Sequence, residues 1–195
     1  REDRNKISQF DLIRSIEKVM LGPERRSHIL SKKEKEITAY HEAGHALVAS
    51  VLPHADPVHK ISIISRGRAA GYTLKLPIED RKLQSRNEFL DDIDMSLGGY
   101  GAEKLVFGDI TTGASNDLQV STALARDMVT KYGMSESIGP VALESGSSRN
   151  VFGKVIEERD YSEEVAANID KEVSRIMKDA YKKVVDLIKK KKNLL

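Results

Sequence analysis

His41-Glu42-Ala43-Gly44-His45 is the group of residues in this chain best equipped to do chemistry. Histidines four apart on a helix project the same way, so both imidazoles can reach one cation. Zinc accepts two such nitrogens at ~2.1 Å and still needs further ligands. The glutamate beside the first histidine is close enough to touch a water on the metal without being a ligand itself. Zinc lowers the pKa of that water to about 7, and the carboxylate takes its proton as hydroxide attacks a carbonyl. The pattern points to metal-assisted hydrolysis, with His41 and His45 as ligands and Glu42 as general base. Cysteine is absent, which excludes disulfides, thiolate catalysis and cysteine-based metal sites. Any metal here must be held by histidine and carboxylate.

A catalytic zinc takes three protein ligands and keeps one position open. The continuation H-x-x-G-x-x-H, which would supply a third histidine, is missing: Val48 and Val51 stand in its glycine and histidine places. His54 and His59 lie beyond Pro53 and lose the helical register. A carboxylate from a later helix is the better source, and two stand out, Glu103 and Asp117. Asp117 has an alternative role as a first-turn carboxylate, worth about 1 kcal/mol without any metal. Spacing alone does not choose between them.

The elements that must position these groups are mostly helical. A short amphipathic helix follows Ser8 and stops at Gly22-Pro23. Ser31-Lys32-Lys33-Glu34 is a capping box, and the helix it opens runs through the histidines to Leu52, where Pro53 ends it. Two strand candidates come next, Lys60–Ser65 and Gly71–Leu76, joined by a loop through Arg66–Ala70. A second capping box, Ser85-Arg86-Asn87-Glu88, opens a long helix closed by Gly108, with Gly98, Gly99 and Gly101 inside it. Interior glycines weaken a helix, so either it bends there or another backbone packs close, and the metal-bearing helix is the natural partner. A turn-rich entry, Thr111–Asn116, leads to a helix over about Asp117–Tyr132. The stretch Leu143–Tyr161 has little periodicity and reads as an irregular, mobile loop. A last helix begins after Ser162 and ends in Lys189–Lys192, a solvated end favoured by the helix dipole. The fold class is therefore mainly α, with a small inserted β-sheet.

Charge narrows the function further. Lys and Arg number 32 against 30 Asp and Glu, so no domain-wide cationic field exists and nucleic acid is not an expected partner. No apolar run reaches the ~18 residues a spanning helix needs, and no signal peptide is visible. Gly67-Arg68-Ala69-Ala70-Gly71 has neither the spacing nor the lysine of a phosphate-binding loop. The chain opens on Arg1 rather than methionine and reads as a piece of something longer.

Several segments resemble one family. Met20-Leu21-Gly22-Pro23-Glu24, Ala39-Tyr40-His41-Glu42-Ala43-Gly44-His45-Ala46 and Thr111-Thr112-Gly113-Ala114-Ser115-Asn116-Asp117-Leu118 look like the peptidase domain of the FtsH family of membrane-anchored AAA zinc metalloproteases. Gly71-Tyr72-Thr73-Leu74 and Tyr132-Gly133-Met134-Ser135 match it too, so the likeness runs from Ile16 to Ile188. The resemblance implies that Asp117 is the third zinc ligand, which leaves Glu103 to brace the site from behind or to pack. It implies residues 1–22 as a linker or the end of a preceding ATPase module, and 23–195 as the zinc metallopeptidase domain. Two positions depart from the family: Tyr100 stands after Gly98-Gly99 where an arginine is usual, and Ser121-Thr122 replaces Ala-Thr.

The expected function is that of a zinc endopeptidase acting on unfolded polypeptides, with one Zn2+ per chain. Gly71, Tyr72, Thr73 and Leu74 are candidates to bind substrate as an edge strand, by nearly sequence-blind backbone pairing. Gly67 and Gly71 would give the neighbouring loop freedom to open and close. ATP belongs only to the full-length protein, where the resemblance implies a homohexamer and a membrane anchor in missing N-terminal segments. The fragment would be soluble, and the parent's peptidase part would face the cytoplasm or the equivalent organelle compartment. The rival reading is a catalytically silent, ring-forming module of the same fold.

Overall fold

Serine side chains start most of the helices in the computed structural model, which describes residues 6–22, 30–65, 70–75, 82–143, 148–151, 154–157 and 161–195. In chain order these form α1 (Gln9–Leu21), α2 (Lys32–Val51), β1 (Val58–Ser62), β2 (Tyr72–Lys75), α3 (Arg86–Ser96), α4 (Gly98–Phe107), a 3-10 turn (Thr112–Ala114), α5 (Ser115–Thr130), β3 (Ser148–Val151), β4 (Lys154–Glu157) and α6 (Glu163–Lys190). Ser8, Ser31 and Ser85 each accept from the amide three residues on, and the acidic side chain there returns the bond. Ser162 caps α6 in the same sense. The fold is mainly α, with β1 and β2 forming one antiparallel pair and β3 and β4 another. Among the described residues no helix is long and apolar enough to cross a membrane.

α6 supplies the longest apolar stripe. Ile169, Val173, Ile176, Ala180, Val184 and Ile188 recur at three- and four-residue steps and are all buried. They close over Val48 of α2, Ile93 of α3, Ala102 of α4 and Met128 and Val129 of α5, which make one contiguous core. Against this frame α2 and α4 meet backbone to backbone. A methyl group added at Gly98 would lie 2.7 Å from the Gly44 carbonyl oxygen, and one at Gly44 would lie 2.6 Å from Cβ of Ala102. Both glycines are there for space rather than for unusual torsions. The approach sets the floor of the site, because Gly44 lies between the two histidines.

The single helix expected from Ser85 to Gly108 is two helices, broken at Leu97, whose ψ of −3° departs from the helical value. The helix is interrupted at Leu97, and a second backbone packs close at Gly98. The region expected to be irregular between Leu143 and Tyr161 carries the short β3–β4 pair, in register from Ser148 opposite Glu157 to Val151 opposite Lys154. Four-residue strands give too short a pattern for alternation to register. β1 begins two residues earlier than expected and ends at Ser62, with an irregularity between Val58 and Lys60. Arg66–Ala69, Leu76 and Pro23-Glu24 lie outside the described residues.

α1 is turned the other way from an ordinary surface helix. Phe10, Leu12, Ile16, Val19 and Met20 are exposed, while Glu17 is buried and takes the Lys60 ammonium of β1 at 2.8 and 3.0 Å. Ile13, on its apolar face, is half-buried.

One buried charge cluster yields a prediction. Asp91 and Asp94 of α3 both face Lys183 of α6, which sits 3.2 Å from Asp91 Oδ1 and closes on Asp94 Oδ2. Burial pushes the Asp94 carboxyl up to about 6, against the pull of Lys183. Its ordinary value is 3.8, so between these limits the folded chain keeps a proton that the unfolded chain has lost. The resulting stabilisation is complete below about pH 4 and lost as pH rises through about 6. The melting temperature of wild type minus that of Asp94→Asn should therefore fall by several degrees from pH 4 to 6 and then level off. A constant difference over that range would refute the assignment.

Candidate metal centre

The central part of α2 is buried on the side that carries His41, Glu42, Gly44 and His45. One turn separates the two imidazoles, and their Nε2 atoms stand 3.0 Å apart. Asp117, in the first turn of α5, brings its Oδ2 to 3.1 Å from His41 Nε2 and 3.3 Å from His45 Nε2. These three side chains form the metal-capable cluster of the described residues, and neither His54 nor His59 belongs to it. Glu103 lies on the far side of His41, with Oε1 at 2.7 Å from Nδ1.

The other ring nitrogens decide what the convergence means. His45 Nδ1 is 2.8 Å from the Met95 carbonyl oxygen, which can only accept, so Nδ1 carries the proton. His41 Nδ1 faces the Glu103 carboxylate and donates to it in the same way. In the neutral rings each Nε2 is therefore a bare lone pair. Two lone pairs and a carboxylate oxygen at 3.0–3.3 Å repel one another unless a metal ion, or a proton on one ring, sits among them. Neighbouring ligand atoms of a tetrahedral zinc at ~2.0–2.1 Å are about 3.3 Å apart, so the donor set fits that ion.

Charge follows the same geometry. Burial works against the charged form of His41, but the hydrogen bonds to Asp117 and Glu103 outweigh it and raise the imidazole above its ordinary value. Burial also opposes ionisation of Asp117, yet the bonds from His41 and His45 hold its carboxyl well below the usual range. Burial pushes Glu42 up, partly offset by a hydrogen bond from Thr73 and by the two imidazoles.

Sequence-distant elements build this arrangement. Glu103 uses its second oxygen to accept from the Thr111 amide at 2.7 Å, and so ties the loop before α5 to the back of His41. Gly99 leaves room for that ring: a Cβ there would fall 2.6 Å from His41 Nδ1. The Met95 carbonyl is presented at the end of α3, just before the break at Leu97. Tyr100, the departure from the family pattern, packs edge-on against Tyr181 of α6 with ring centres 5.4 Å apart. Ser121 turns inward and donates to the Asp117 carbonyl at 2.6 Å.

A cleft of about 830 Å³ opens over these groups, bounded by α2, the Thr111–Gln119 segment and β2. Of the four residues expected to meet substrate, Tyr72 and Leu74 are buried. Thr73 faces α2 and donates to Glu42 Oε2 at 2.7 Å. Gly71 is not a hinge of the kind expected. A Cβ there would lie 2.7 Å from Thr38 Cγ2 and 2.8 Å from the Ser62 carbonyl oxygen, so the residue is small because it is wedged. Gly67 lies outside the described residues. Two contributors escape sequence reasoning, the Met95 carbonyl and the Thr73 hydroxyl. A backbone oxygen has no sequence signature, and a threonine in a strand reads as ordinary strand composition.

A helix-borne H-E-x-x-H pair, completed by a carboxylate from a second helix, places the chain among the metallopeptidases. The chain belongs to Peptidase family M41, whose family model matches residues 28–195. It is 50% identical over 192 residues to the ATP-dependent zinc metalloprotease FtsH of Thermotoga maritima, covering 97% of this chain and 32% of that protein. Proteins of the same name from Veillonella parvula and Rubrobacter xylanophilus are 49% and 47% identical, over 96% and 100% of this chain and 29% and 30% of theirs. The chain thus spans about a third of the length of these curated relatives.

Proposed function

We propose that the chain is the peptidase part of a larger ATP-dependent zinc protease and hydrolyses peptide bonds of unfolded polypeptides. The observation that carries this reading is the meeting of two imidazole Nε2 atoms and Asp117 Oδ2 within 3.3 Å of one another, each ring's Nδ1 being engaged elsewhere. His41, His45 and Asp117 hold one zinc. Bound there, the ion supplies Lewis-acid polarisation of a peptide carbonyl and acidification of water. Glu103 and the Met95 carbonyl fix the ring tautomers that turn Nε2 toward the metal. Glu42 is the general base: burial makes its carboxylate a better proton acceptor than an exposed one, and it passes the proton on to the departing amide nitrogen. Residues Gly71–Leu74 receive an extended peptide along β2, which among the described residues pairs only with β1.

The remainder of the reading follows the relatives. Their printed name couples zinc protease activity to ATP, and their length leaves room for the ATP-handling part that this chain lacks a motif for. Residues 1–22 then end that part, residues 23–195 are the peptidase, and the assembled parent is a membrane-anchored homohexamer with its peptidase on the cytoplasmic or equivalent side.

The purified chain should bind one zinc and degrade a permanently unfolded polypeptide without nucleotide, while sparing a stable folded protein. Chelation should abolish the activity, and added zinc should restore it. A zinc-loaded ring with no hydrolysis would instead favour the silent assembly module.

A further inference from the structure

β2 is held on both of its faces. Tyr72 and Leu74 are buried beneath it, and Lys75 reaches Asp92 of α3 at 3.3 Å. Alternation along the strand sends Thr73 the opposite way from Tyr72 and Leu74, toward α2. Its hydroxyl lies 2.7 Å from Glu42 Oε2 and 3.2 Å from the Glu42 carbonyl oxygen. The shorter contact takes its single proton. On the other side of the same carboxylate stands Gly71, where a Cβ would come within 2.9 Å of Oε1. Glu42 is therefore seated between a hydroxyl on one residue of β2 and the bare Cα two residues earlier. Oε2 is engaged, and Oε1 accepts no hydrogen bond among the described residues.

We propose that Thr73 is the positioning residue for Glu42: its hydroxyl fixes the carboxylate in one orientation and leaves Oε1 as the oxygen that takes the proton. The inference rests on Glu42 as the base. It adds that β2 has two tasks, because the strand that receives the peptide backbone also orients the group that acts on it. A freely rotating glutamate spends most of its time away from that geometry, and general-base catalysis is sensitive to such misplacement. The loss should appear in kcat, since the Thr73 hydroxyl touches the base.

Thr73→Val keeps the shape and removes the hydroxyl, whereas Thr73→Ser keeps the hydroxyl. In the zinc-loaded chain, T73V should lower kcat about 10- to 100-fold with KM within about twofold and zinc stoichiometry unchanged. T73S should recover the greater part of kcat. Unchanged kcat in T73V, a loss confined to KM, or T73S as impaired as T73V would each overturn the proposal. A second measurement needs no activity. In the metal-free protein, T73V should lower the urea midpoint of unfolding when residue 42 is glutamate and shift it much less in a Glu42→Met background. Equal shifts in the two backgrounds would overturn the link. Should T73V fail to fold, Thr73→Ala takes its place in both measurements. If the wild-type chain binds zinc and hydrolyses nothing, the peptidase reading falls, while the urea series still decides whether Thr73 holds Glu42.

Discussion

Glutamine in place of Glu42 should leave one zinc per chain and lower kcat by about a thousandfold, with little change in KM. The substitution keeps the size of the side chain and an oxygen for the Thr73 hydroxyl, which sits 2.7 Å from the carboxylate. It removes only the capacity to accept a proton. Glu42 is outside the convergence of His41, His45 and Asp117, so ligation does not depend on it. Its neighbourhood also supplies no substitute. Glu103 is 2.7 Å from His41 Nδ1 and 2.7 Å from the Thr111 amide, so both its oxygens are engaged away from the cleft. Asp117 is engaged by both imidazoles. Stopped-flow or steady-state hydrolysis of an unfolded polypeptide, with zinc measured on the same sample, checks the result. Activity within about threefold of wild type would remove Glu42 from the base role.

How much of this was legible beforehand depends on the range of the interaction. The capping boxes at Ser31 and Ser85 and the stop at Pro53 are local, and they place α2 and the start of α3 to within a residue or so. The two histidines and Glu42 are also local, since one helix turn fixes their common face. The meeting of α2 with α4 was legible only in outline. Gly98, Gly99 and Gly101 announced a close neighbour, but not that Gly98 would face Gly44 or that Gly99 would make room for the His41 ring. The break at Leu97 was ambiguous, because a tertiary contact decides whether a glycine-rich helix bends. α1 shows the reverse case. Its apolar residues recur at helical spacing, but most of them are exposed, and the buried residue is Glu17. Periodicity reports the presence of a face and not what covers it. The hydrogen bonds of Thr73 and Met95 join segments 31 and 50 residues apart, and no spacing rule foretells them.

The choice between Asp117 and Glu103 is the part that spacing left open, and the two carboxylates now carry different expectations. Asp117→Ala should weaken zinc binding by at least about two orders of magnitude, because it removes a ligand atom and the one negative charge aimed at the metal. Glu103→Gln should weaken it by about tenfold to a hundredfold, the range for partners that only orient a ligand. The difference follows from which ring nitrogen each carboxylate addresses. Asp117 Oδ2 lies beside both Nε2 atoms, on the metal side, while Glu103 Oε1 meets Nδ1 on the opposite edge of His41. Glutamine at residue 103 can still accept from Nδ1 and keep the tautomer, but it can also turn its amide toward the ring and present a donor instead. The His41 ring would then be held less firmly, although Gly99 still packs against it. Asp117→Asn separates charge from shape, since its oxygen can stay near both nitrogens, and it should fall between the two. Competition with a chromophoric chelator at fixed pH ranks all three variants. If the Glu103 change released the metal while the Asp117 change did not, the ligand would be Glu103, reached by a His41 ring turned over from the orientation described above.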